Sequence, residues 1–164
     1  VRRRHFLALA ALALPAGGLS RAQGLAEVVR SVILTGKEVV PNPTPSPAVA
    51  VVRLRVEGRV LDLLGAVANL QGPFRDYRLD PVDDPALNAR LTSAVHLHRG
   101  PRGANGPLLQ ALKVEPGPDG RSAVFQDRVE LSLEDLARLR RGELYLDIHT
   151  AAFRGGEIRG QILV

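Results

Sequence analysis

Two stretches of the chain alternate strictly between aliphatic and polar positions. In "AVHLHRG", Ala94, His96 and His98 fall on one side of an extended strand, and Val95 and Leu97 on the other. In "LYLDIHT", Tyr145, Asp147 and His149 share one side while Leu144, Leu146 and Ile148 share the opposite one. An aliphatic face of that kind must seek a core, so the histidines are expected on the outer face, beneath whatever loops cover it. Further runs rich in β-branched residues and bounded by breakers predict strands at 28–36 and 48–56, and the apolar run 58–70 pairs back after the Glu57-Gly58 turn. Between the first two, "VVPNPTPSP" is too rich in proline to join a ladder. More strands are expected near 92–98, 108–114, 121–130, 143–149 and 156–163.

One helix interrupts this series. Ser132 and Asp135 stand in capping-box spacing, "LEDLARLRR" (133–141) spaces leucines at 133, 136 and 139, and Gly142 supplies a stop. The segment "QGPFRDYRLDPVDDPALNARL" (71–91) follows neither period and reads as a functional or covering loop inserted before the histidine strand. The expected fold is all-β, an antiparallel Greek-key sandwich or barrel of seven or eight strands with one short helix near 133–141.

Composition changes the picture at the N-terminus. Residues 1–22 combine a basic head, the apolar run "LALAALAL" and a small-x-small site ending at Ala22, the pattern of a cleavable export signal. Arg3-Arg4-His5-Phe6-Leu7 fits a twin-arginine signal, and the general secretory route stays open beside it. The mature chain, 23–164, is then expected as one domain in the periplasm or outside the cell. Four of the 22 basic residues and none of the 17 acidic ones lie in that leader. The remaining 18 and 17 leave a net charge of +1, which offers no footprint for nucleic acid. No later stretch is apolar enough for a membrane helix, and the absence of cysteine rules out a disulfide framework.

Three histidines remain for chemistry. A pair at i and i+2 on one strand, with a third from a neighbouring strand, can present three imidazole nitrogens to one copper or zinc ion. His96, His98 and His149 form that candidate set if their strands are neighbours. Asp76, Asp80, Asp83 or Asp84 of the covering segment are candidates for a fourth ligand or its support. Such a site would weaken as pH falls through the histidine range, because protons compete for the imidazoles. The alternative is that these histidines anchor loops. "RGPRGANGP" (99–107) has glycines but no lysine and no following helix, so it reads as a tight connection rather than a phosphate cradle. No serine or acidic pair stands in a nucleophile or glycosidase pattern, so no catalytic residue is assigned.

"ILTGKEVVPNP" (33–43), "AVHLHRGPRGANGPLL" and "LARLRRGELYLDIHTAAFRGGEIRGQI" together resemble the CHRD domain. The family pattern runs approximately A-H-I-H-G-P-A-x-G-x-N-G-P and then L-Y-x-N-I-H-T-x-x-x-P-x-G-E-I-R-G-Q. Here Val95 separates Ala94 from His96, Arg99 is inserted, and Asp147 stands where asparagine is usual. The likeness covers the mature chain apart from 71–91. It implies a Greek-key-like domain without established enzymatic activity, acting as a binding or structural module with an unidentified envelope or extracellular partner. In the shared motifs, Gly100, Asn105, Gly106, Gly156, Glu157 and Arg159 are expected to be structural, with Glu157 and Arg159 fixing the last hairpin against the loop after His98. The His-x-His strand also resembles, more distantly, that of copper–zinc superoxide dismutases, which implies a copper outside the barrel near His96, His98, His149 and Arg159. The bridging and zinc-binding histidines of those enzymes have no counterparts here.

Overall fold

The computed structural model describes residues 27–164. The leader and its cleavage site at 1–22 lie outside the described residues. Nine antiparallel strands form one sheet: β1 (Val28–Thr35), β2 (Val49–Glu57), β3 (Val60–Ala68), β4 (Val95–Arg99), β5 (Leu108–Ala111), β6 (Lys113–Pro116), β7 (Ala123–Glu130), β8 (Leu144–Ile148) and β9 (Ile158–Ile162). Their order is β5-β4-β8-β9-β1-β2-β3-β7-β6. The two edge strands, β5 and β6, are joined through the single residue Leu112, so the sheet curls into a nearly closed barrel.

That junction accounts for a difference from expectation. The run 108–114 reads as one strand, yet the chain breaks at Leu112, which is buried and donates its N–H to the Val95 carbonyl. Leaving one edge of the barrel for the other requires this break, and it raises the strand count to nine. Alternation carries the rest. In β2 and β3 every second residue is buried over most of the strand, and Leu54, Leu61, Leu97, Leu146 and Ile148 meet inside one core. Phe125 of β7 packs so close to Gly65 of β3 that a side chain there would collide with its ring.

Helix α2 (Leu133–Arg140) starts where the capping signal places it: the Ser132 hydroxyl accepts the Asp135 N–H. Leu136 and Leu139 enter the core, but Leu133 stays exposed. The Asp135 carboxylate receives the Arg99 guanidinium in a two-bond fork at 2.6 and 2.9 Å, which ties α2 to the end of β4.

The chain from β3 to β4 crosses from one part of the sheet to another and lies over β4. It is not structureless. Asp84 caps a single helical turn, α1 (Pro85–Asn88), with Pro85 as its first residue, a start signal present in the sequence but too short to show a period. Tyr77, Leu91, Ala94 and Leu108 form a second small core under this segment, with Phe74, Val82 and Leu87 against it. Among the described residues no helix is long and apolar enough to cross a membrane.

Candidate metal centre

Strands β4 and β8 are direct neighbours. Their register sets His96 opposite Asp147 and His98 opposite Tyr145, and the His149 N–H continues the ladder to the Ala94 carbonyl. Val95, Leu97, Leu144, Leu146 and Ile148 point into the barrel and are fully buried. His96, His98, Asp147 and His149 therefore project from the opposite face, where the 71–91 segment covers them. His96 is only 1% exposed there.

One ligand atom from each of these four residues lies within 4.8 Å of all the others. They converge on Oδ1 of Asp147, which is 3.5 Å from His96 Nδ1, 3.3 Å from His98 Nε2 and 3.2 Å from His149 Nε2. The three-histidine set proposed from the sequence is thus brought together. The fourth member is Asp147, and the covering aspartates are engaged elsewhere or stand apart. Asp76 binds Arg78, Asp80 binds Arg75 and Arg154, Asp84 caps α1, and Asp83 is not in the cluster. The signal for Asp147 was its place between Tyr145 and His149 in the alternation.

The outward nitrogen of each ring fixes its tautomer. His96 Nε2 lies 2.7 Å from the Ser93 carbonyl, His98 Nδ1 3.1 Å from that of Gly106, and His149 Nδ1 2.9 Å from that of Arg154. A carbonyl only accepts, so these nitrogens carry the hydrogen. In a neutral imidazole the inward nitrogen is then a bare lone pair, and here three of them face a carboxylate oxygen. Accordingly His96 Nδ1, His98 Nε2, His149 Nε2 and Asp147 Oδ1 are buried without any hydrogen-bond partner. Such atoms number seven among the described residues, and the other three are all arginine Nε atoms.

Charge on the inner atoms would relieve the repulsion, but unequally. Burial opposes ionisation of Asp147, yet the neighbouring His149 and the contacts to all three rings hold its carboxyl well below the usual range. Burial also pushes His96 down, outweighing Asp147, so that ring favours the neutral form. For His149 burial acts the same way, but Asp147 overrides it and the pKa rises. A proton on His149 leaves the lone pair of His96 still facing Oδ1. A divalent cation at the common point satisfies all four atoms at once.

The surroundings hold the rings in place. Tyr145 stacks on His98 at 4.9 Å and 4°, and the Arg159 guanidinium lies over the Tyr145 ring, 3.6 Å from its centroid. The Gly106 peptide binds both the Tyr145 hydroxyl and His98. Only glycine fits there, because a Cβ would lie 1.7 Å from the Arg99 carbonyl oxygen. On the covering side, Tyr77 lies 5.7 Å from His96 and 6.5 Å from His149, ring to ring, with Arg75 stacked over it at 4.6 Å. Burial holds the Tyr77 hydroxyl far above its ordinary pKa, so it stays protonated.

The motif residues divide into two groups, and Glu157 does not pair with Arg159. Arg159 binds Asn105 Oδ1 at 3.1 Å and the Ala104 carbonyl at 2.8 Å, which ties β9 to the loop after His98. The Gly100 carbonyl accepts from Gln161 in the same network. Glu157 turns instead to the start of the covering segment and the proline-rich connection, receiving the Thr150 hydroxyl, the Ser46 hydroxyl and the Gln71 N–H. Gly156, at φ 119°, makes the turn that carries the chain from His149 into that position.

An all-β barrel with a buried cluster of three imidazoles and one carboxylate outside its core defines the class of this protein. The CHRD domain model matches residues 30–162, most of the chain, and the chain belongs to the CHRD family. Neither a curated protein nor a solved structure matches it.

Proposed function

We propose that this CHRD chain is a non-enzymatic binding or structural module that carries one divalent metal ion, zinc or copper(II), on the outer face of β4 and β8. The ligands are His96 Nδ1, His98 Nε2, His149 Nε2 and Asp147 Oδ1. The observation that carries this reading is the buried, partnerless state of these four atoms, with the outer ring nitrogens already donating to backbone carbonyls. Bonds of about 2.0–2.1 Å in a tetrahedron imply ligand spacings of about 3.3–3.4 Å. The three separations from Asp147 Oδ1, 3.2 to 3.5 Å, fit that spacing. Imidazole and carboxylate donors suit zinc and copper(II), and the chain has no cysteine or methionine to favour a softer ion. The leader pattern at 1–22 supports action in the periplasm or outside the cell, on an envelope or extracellular partner.

Protein purified without an affinity tag tests this directly, by elemental analysis followed by zinc and copper titration near neutral pH. The expected result is one ion per chain, lost in His96→Ala/His98→Ala. A parent protein that takes up no stoichiometric metal, or a double variant that binds as the parent does, overturns the reading and leaves the histidines as loop anchors.

A further inference from the structure

The histidine cluster lines a cavity of about 480 Å³ whose surface is mostly apolar, with Arg75, Asp84 and Arg90 as the charged residues beside the histidines. His96, His98 and His149 all line it, whereas Asp147 does not. Val82, Leu87 and Leu91 of the covering segment form one wall, and Leu108 at the start of β5 stands in the other. The volume falls in the range of small-molecule sites, and a mostly apolar pocket with a few placed polar groups is their usual build.

The walls are fixed rather than draped. Asp80 is held by Arg75 and Arg154, which ties the segment to the loop after His149. Asn88 accepts the Val82 N–H and donates to the Tyr77 carbonyl, closing the segment on itself. Arg90 donates to the Leu108 and Leu109 carbonyls and links the segment to β5. A loop that merely shielded the histidines from water would gain by collapsing onto them. This one is braced from three sides and leaves a space whose surface would favour an apolar occupant.

We propose that this cavity binds a small, largely apolar molecule, such as a single aromatic ring, whose one nitrogen or anionic oxygen donor reaches the metal held by the histidines. The inference rests on the metal reading above and adds the ligand class. Zinc and copper(II) accept a fifth ligand, and the side of the cluster that the cavity reaches is formed by the imidazoles. Tyr77, whose ring lines the same cavity, adds an aromatic face beside them. The segment between β3 and β4 supplies most of the wall.

The test compares 4-phenylimidazole with imidazole on the zinc-loaded full chain by titration calorimetry, after zinc uptake has been measured separately. Both probes carry the same donor, and only one carries the apolar ring. The expected result is binding of 4-phenylimidazole at least about tenfold tighter, as burial of a ring in an apolar pocket gives. Leu87→Asp should remove that advantage without changing zinc stoichiometry or imidazole affinity. Ala86→Asp, at an exposed position in the cavity wall, repeats the test without disturbing the small core. Equal affinities for the two probes, or an advantage that survives both variants, overturns the pocket while leaving the metal site intact. Failure to take up either zinc or copper overturns the function proposed above, and this inference with it.

Discussion

Two carboxyl groups lie ten positions apart on either side of the loop between β8 and β9, and both are buried. Glu157 is completely enclosed and takes a hydroxyl from Thr150, a hydroxyl from Ser46 and the N–H of Gln71. Asp147 is also buried, though 9% of its surface stays exposed, and its Oδ1 faces three imidazole nitrogens without a hydrogen-bond partner. Burying a polar atom costs free energy unless a partner replaces water. Glu157 has such partners within the protein, so it stabilises the fold by joining three separate segments. Asp147 lacks them, so the fold bears a cost that a bound cation would offset. The satisfied carboxyl acts as scaffold, and the unsatisfied one is where a cation would find a ligand.

Replacing each carboxyl separates the two roles most sharply. Glu157→Ala leaves two hydroxyls and one amide without their acceptor and should cost roughly 3 kcal/mol or more, since each orphaned group costs about 1–3 kcal/mol. Asp147→Asn should leave the metal-free protein within about 1 kcal/mol of the parent, because it removes the charge that faces the lone pairs. Metal affinity should move the opposite way, falling in Asp147→Asn and holding in any Glu157 variant that still folds. Thermal melts with and without added zinc measure both effects. An Asp147→Asn protein that is as crippled as Glu157→Ala, with or without zinc, would erase the distinction.

The sequence made one half of this contrast readable. Period-two alternation assigned Val95, Leu97, Leu144, Leu146 and Ile148 to the core and so put His96, His98 and His149 on one outer face, as the register of β4 and β8 confirms. Alternation says which side a residue takes, but not what crosses over it or which strand lies beside it. For that reason Asp147 passed as an ordinary outer residue while the aspartates of the covering segment drew attention. Proximity in sequence to the histidine strand was a poor guide, because Asp76, Asp80 and Asp84 are committed to arginines or to a helix cap. The break at Leu112 was hidden for a related reason. A run that stays apolar while it changes edges keeps a strand-like composition on both sides.

The same blindness to partners applies to Glu157 and Arg159. Both were expected to fix the last hairpin against the loop after His98, but their side chains reach different neighbours. Of the two, Arg159 is the one that holds the 101–105 loop, and it covers Tyr145, which in turn stacks on His98. Arg159→Ala should lower stability by about 1–3 kcal/mol through its lost hydrogen bonds. It should also loosen metal binding modestly, because the ring supporting His98 loses its own support. Calorimetric melts and a zinc titration on the same variant give both numbers. A variant with parental stability but no metal binding would move Arg159 from the Glu157 side of the comparison to the Asp147 side.

A third buried carboxyl, Asp135, offers the smallest and most pH-specific effect. Its hydrogen bonds from Arg99 hold its pKa below the usual carboxylate value, with burial opposing and the Ser132 hydroxyl assisting. The unfolded chain has no such fork, so its carboxyl titrates near the ordinary value of about 3.9. The folded pKa therefore lies below the unfolded one. Asp135 contributes stability above about pH 4, and that contribution is lost as pH falls through the folded value. The Arg99 side chain is 32% exposed, so solvent screens the pair and the effect should be only about 1 kcal/mol. Asp135→Asn should thus be less stable than the parent at neutral pH, and the two melting curves should converge as pH falls through the lowered folded pKa. A gap that persists unchanged into acid would assign the contribution to helix capping by Ser132 and Asp135 rather than to the charge pair. Metal uptake should be untouched throughout, since Arg99 points away from the cluster toward α2 and Asp135 touches none of its four ligands.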